Sequence, residues 1–95
     1  MIVKIVIQSK SDPAKEKDFK QLLQELQAKA MQFKGFISGE TMQSVEDPTA
    51  HLTIGTWRSI TNLNNWLNSP ERKAIQDKFT QVLKEPIKMT LYHYE

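Results

Sequence analysis

Residues 36–45 and 50–57 are two strand-like runs separated only by Glu46, Asp47, Pro48 and Thr49. So short a connection joins antiparallel neighbours, because parallel strands need a much longer crossover. Asp and Pro favour turns, so these four residues read as a hairpin loop. The hairpin lies between two helical stretches, and a further strand-like run stands at each end of the chain. Few architectures accommodate that symmetry.

The first outer run, residues 2–8, is β-branched and apolar apart from Lys4 and Gln8, the pattern of a mostly buried strand. It is too short to span a membrane, Lys4 interrupts it, and it lacks the long apolar region of a signal peptide. Ser11-Asp12-Pro13 then reads as a helix start, with Asp12 as cap and Pro13 in the first helical position. The spacing predicts a helix to about Phe33, with Phe19, Leu22, Leu23, Leu26, Ala30 and Phe33 as its apolar stripe and Gly35 as its C-terminal cap. Past the hairpin, Ser59 or Thr61 can cap a short helix carrying Leu63, Trp66 and Leu67. Ser69-Pro70-Glu71 restarts helix, with Ile75, Phe79, Val82 and Leu83 buried, and Pro86 ends it. Residues 87–94 alternate as a last strand. The order is β-α-β-β-α-β with the second helix broken in two. It predicts one α+β domain over residues 1–95, a ferredoxin-like sandwich with helices on one face of an antiparallel sheet.

Composition removes several classes of function. The chain has no cysteine, which excludes disulfides, thiolate catalysis and sulfur-bound zinc. Thirteen basic and 11 acidic residues leave a net charge of only +2, with no basic cluster interleaved with aromatics, so no nucleic-acid partner is expected. No membrane association is expected either, and the cytoplasm is the expected location. His51 and His93 show no metal-ligand spacing, so no metal site is expected.

Strand alternation leaves apolar residues on both sides of the sheet: Val3, Ile5 and Ile7 against Ile2 and Val6, and Leu52 and Ile54 against Trp57. An open antiparallel face normally alternates towards polar residues. Both faces are therefore expected to be covered, one by helices and the other by a second copy packed sheet to sheet, with Tyr92 and Tyr94 in that interface.

The candidate chemistry centres on two indoles. Trp57 ends a strand and Trp66 sits on the short helix that follows. They either plug the space between helix and sheet or form the walls of a pocket for a small aromatic or apolar ligand. Thr53 and Gly55 share one strand face with Trp57. If that face meets the helices, their small side chains leave room for a cavity roofed by Trp66 and Phe79. Which face it is stays open at this level. His51 is either a general base, its ordinary pKa being near neutral, or a solvent-facing residue at the hairpin edge.

Gly35-Phe36-Ile37-Ser38-Gly39-Glu40, the turn through Glu46-Asp47-Pro48, the strand ending Trp57-Arg58-Ser59, and Trp66-Leu67-Asn68-Ser69-Pro70 together resemble the antibiotic biosynthesis monooxygenase (ABM) domain. The resemblance implies a dimeric α/β-barrel in which each subunit has its own cavity, and no cofactor in the oxygenase branch. That branch uses an indole at the position of Trp57 and an Asn where this chain has Thr53. The haem-degrading branch uses an indole matched by Trp66, but its iron-ligating His corresponds to Gln76 and its first-strand Asn to Ile7. An amide is a poor substitute for imidazole on haem iron. The expectation is thus a cofactor-independent oxygenase of a small quinol or phenol, with Trp57, Thr53 and His51 as catalytic candidates and Trp66, Phe79, Gln76 and Gly55 as substrate contacts. The alternative is a non-catalytic dimeric protein that binds a small molecule in the same cavity.

Overall fold

The computed structural model describes residues 1–95. Its elements are β1 (Val3–Lys10), a single 3-10 turn (Pro13–Lys15), α1 (Glu16–Ala30), β2 (Phe36–Gln43), β3 (Ala50–Trp57), α2 (Ile60–Leu67), α3 (Pro70–Phe79) and β4 (Lys88–His93). The sheet is antiparallel throughout in the order β2-β3-β1-β4, so both outer strands flank the central pair as the ferredoxin-like reading requires.

The helix starts follow from local chemistry. Asp12 accepts a hydrogen bond from the Ala14 amide at 3.0 Å, Ser59 from Asn62 at 3.1 Å and Ser69 from Arg72 at 3.1 Å. Each satisfies an amide that the helix itself leaves unpaired. Ser59, not Thr61, is thus the cap of α2.

Two helix ends differ from the expectation. α1 closes at Ala30, because the Gln32 and Phe33 amides turn to the carbonyls three residues back, at Lys29 and Ala30. The chain then reverses through Gly35, whose φ of +90° is open to glycine and strained for other residues. A β-carbon there would also run into Asn62. α3 stops at Phe79 rather than at Pro86. The Thr80 hydroxyl donates back to the Asp77 carbonyl at 2.7 Å, and the following residues are claimed by the end of β1. Asp12 N–H donates to Val82 O and Lys84 N–H to Lys10 O, both at 2.8 Å, with Ser11 bridged to Leu83.

Register decides which face each residue occupies. Val3, Ile5 and Ile7 pair with Trp57, Gly55 and Thr53, and cross-strand partners share a face. That face meets the helices: Val3, Ile5, Ala30, Trp57, Leu63 and Trp66 form one buried cluster. A second cluster, Phe19, Leu22, Ile75, Phe79 and Val82, joins α1 to α3. The opposite, helix-free face carries Val6, Leu52, Ile54, Met42 and Tyr92, the last two well exposed. On the helix side the layer does not reach over β4, where Met89 and Leu91 remain exposed. No helix is long and apolar enough to cross a membrane.

Candidate functional site

A cavity of about 90 Å³ lies between the helices and the helix-facing side of the sheet, and 13 of its 22 lining residues are hydrophobic. Its floor is the middle of β1 and β3, with Ile5, Ile7, Thr53 and Gly55; Trp57 closes one end. Trp66, Gln76 and Phe79 line it from α2 and α3. Six of the seven residues singled out from the sequence therefore surround one space.

The indoles are at once plug and wall. Trp57 is 1% exposed and packs edge-on against Phe36 at 5.3 Å between centroids, while Trp66 stacks on it at 6.3 Å and 20° between planes. Phe33 meets Trp66 edge to face at 5.0 Å. Such an array holds both rings rigidly, which a wall for a flat ligand needs. Gly55 does not contribute empty space. A β-carbon there would lie 2.9 Å from Ile5 Cγ2 and 3.5 Å from Trp57 Nε1, so its neighbours have already closed in. Thr53 also lines the cavity, and its hydroxyl is 2.9 Å from that of its cross-strand partner Thr41, likewise a lining residue. Two hydroxyls carry two protons, and their mutual bond uses one. One donor remains for a ligand oxygen.

His51 lies apart from this space and also away from solvent. It is 7% exposed, its ring lies on Phe19 with centroids 4.5 Å apart, and Nε2 is 3.3 Å from the hydroxyl of fully buried Ser11. The expected solvent-facing position is thus corrected: α1 folds over the β3 end and covers the imidazole. Burial pushes its pKa below the ordinary 6.5; Glu16 and Asp47 oppose that shift and Lys20 adds to it. A folded pKa below the unfolded one means that the unfolded chain takes up the proton first. Stability is therefore fully present above pH 6.5 and is lost as pH falls from there towards the folded value. Urea unfolding between pH 7.5 and 5 will show this as a slope of at most ~1.4 kcal/mol per pH unit, absent in His51→Gln. An unchanged slope in that variant would assign the effect elsewhere. No three imidazole or carboxylate groups converge where they could share a metal ion.

One lining residue went unremarked in the sequence. Arg72 stands one helical turn before Gln76, and its Nη2 donates to Gln76 Oε1 at 3.5 Å. Burial lowers its pKa. The signal was available: 72, 75, 76 and 79 follow helical spacing along a single face of α3.

The family model for antibiotic biosynthesis monooxygenase matches residues 2–78. The chain belongs to that family. Among solved structures, the ABM domain described here is similar to a conserved protein from Methanosarcina mazei Go1, with TM-score 0.93, 19% identity, and 100% of this chain and 94% of that one covered. It is also similar to SnoaB, a cofactor-independent oxygenase from Streptomyces nogalater, with TM-score 0.87, 14% identity and 99% and 93% covered. A Mycobacterium tuberculosis protein matches with TM-score 0.89, 16% identity and 100% and 96% covered. At these identities the likeness is one of fold. A search of curated proteins found no match to this ABM domain.

Proposed function

We propose that this ABM protein is a cofactor-independent monooxygenase acting on a small electron-rich quinol or phenol. The observation that carries the reading is the apolar cavity walled by Trp57 and Trp66, with the Thr41–Thr53 hydroxyl pair as a donor on its floor. In the reaction the substrate is its own reductant. Deprotonation raises its electron density and one electron passes to O2. Recombination places one oxygen atom on the ring, while the other leaves as water with two electrons and two protons from the substrate. The protein supplies an apolar, preshaped space and a donor for the developing oxyanion. His51 is left out of this scheme, because Nε2 is engaged with Ser11 and the ring does not line the cavity. The enclosed volume is smaller than the engineered ~150 Å³ cavity that holds benzene, so a single ring enters only in part or by displacing side chains, and a larger frame projects through the mouth.

Haem does not suit the same site. Gln76, which lines the cavity, offers an amide where iron needs an imidazole. A non-catalytic binder is the second reading, favoured by Thr53 standing where the oxygenase branch has the longer Asn. Oxygen uptake by dialysed protein with menadiol or a simpler quinol separates the two: uptake above the protein-free rate is expected, and none with any quinol leaves the binder.

The proposal includes a homodimer through the helix-free face, where Val6, Leu52 and Ile54 form an apolar centre between Met42 and Tyr92. A second copy would remove that surface from water. Sedimentation at low micromolar concentration should give a dimer that Ile54→Lys dissociates. A stable wild-type monomer would overturn this part.

A further inference from the structure

Arg72 is a charge without a partner at an apolar wall. The chain forms three ion pairs, Lys10–Asp47, Lys20–Glu16 and Lys78–Glu25, and none involves it. Its only side-chain hydrogen bond is the long one to Gln76. Glu40 also borders the cavity, but it pairs with Ile54, whose own partner is Val6, so register turns its side chain to the helix-free face. The other polar lining groups are neutral: Gln27 is committed to the Gly39 carbonyl at 3.3 Å, and Thr41 and Thr53 to each other. A half-buried guanidinium with no carboxylate within reach keeps most of its donors free for water or for an anion, and covering it with a ligand favours the anion.

We infer that Arg72, with the amide of Gln76 beside it, forms an anion-recognising end of the cavity, so that the ligand is an aromatic ring bearing a carboxylate or other anionic oxygen. The inference rests on the cavity being the ligand site and names the class of substrate it takes. Gln76 Oε1 accepts from Arg72, which turns the amide NH2 into an additional donor for the same anion. The planar fork of Arg72 suits two oxygens of one carboxylate, and such charge-assisted bonds are about twice as strong as neutral ones. The ring would lie towards Trp66 and Phe79, with its anionic group at α3. That arrangement suits a space too small to enclose the whole ligand, because the charged end need not be dehydrated completely.

A matched pair of probes tests this: gentisate, a quinol carrying a carboxylate, and gentisyl alcohol, the same ring with a neutral hydroxymethyl group. Binding is read from the NMR shifts of the two indole N–H groups, which requires no turnover. Wild-type protein is expected to bind gentisate about tenfold more tightly, a charged hydrogen bond discounted for partial exposure. Arg72→Gln should make the two affinities equal. Arg72→Lys should keep part of the preference, since the charge remains and the fork is lost. Equal affinities in the wild type, an intact preference in Arg72→Gln, or no binding of either probe would each overturn the inference. Thermal melts of both variants guard against a folding defect, and Arg72→Lys keeps the comparison decisive if Arg72→Gln is unstable. Equal affinities in the wild type with oxygen uptake intact remove only the Arg72 assignment. Absent uptake with the preference intact removes only the oxygenase reading.

Discussion

Trp57→Ala will destabilise the domain by about 3–5 kcal/mol, the usual cost of truncating a fully buried large aromatic. Trp57 is 1% exposed, packed between Phe36 and Trp66, and shares its cluster with Val3, Ile5, Ala30 and Leu63. The space left would merge with the cavity already beside it, so the surroundings have little to collapse onto. A domain of this size has about 5–15 kcal/mol in total, and its midpoint should fall by at least ~12 °C. Urea unfolding followed by circular dichroism gives the number. A loss below ~1 kcal/mol would show that the indole is a loosely held wall rather than core. Alanine is consequently the wrong probe of function here. Trp57→Phe and Trp66→Phe keep an aromatic ring in place, and their turnover can be compared at preserved fold.

If the proposed oxygenase reading holds, Thr53→Val will lower quinol turnover by about a hundredfold at nearly unchanged stability. Valine copies the shape of threonine and removes only the hydroxyl. Its bond to Thr41 is exposed and contributes about 1 kcal/mol at most. What is lost is the donor on the cavity floor, and deleting one donor to a developing oxyanion typically costs 10²–10³ in kcat. Thr41→Val should cost less, because it frees the Thr53 proton for the ligand. Steady-state oxygen uptake for both variants decides this. Equal rates for wild type and Thr53→Val would remove Thr53 from the chemistry and leave the cavity as a binding site.

Much of this fold is written in local chemistry. The caps at Asp12 and Ser69 involve only neighbouring residues, so sequence spacing finds them directly. The end of α3 was not legible in the same way. Val82 and Leu83 continue the apolar stripe, yet their segment pairs with the end of β1, some seventy residues earlier in the chain. A contact that distant has no local signal, and it overrode the helical pattern that Pro86 would otherwise have ended. His51 is a similar case. Its place at a hairpin edge suggests solvent, while Phe19 from α1 and Ser11 from the end of β1 enclose it.

The candidate site divides along the same line. Alternation along β3 puts Thr53, Gly55 and Trp57 on one side whatever the fold does. Which side the helices cover is a matter of packing, and only the pairing of Thr53 with Ile7 and the burial of Trp57 against Leu63 and Trp66 decide it. Sequence alone therefore determined the element order and the hairpin, because both depend on periodicity or on short-range hydrogen bonding. The family followed from the resemblance of whole segments to the ABM domain and from the family model that matches residues 2–78. Tertiary structure alone decided that the indoles wall a cavity, that Ile5 fills the room beside Gly55, that His51 stands outside, and that Arg72 is left without a counter-charge. Those are facts of distance between residues remote in sequence, and periodicity carries no information about them.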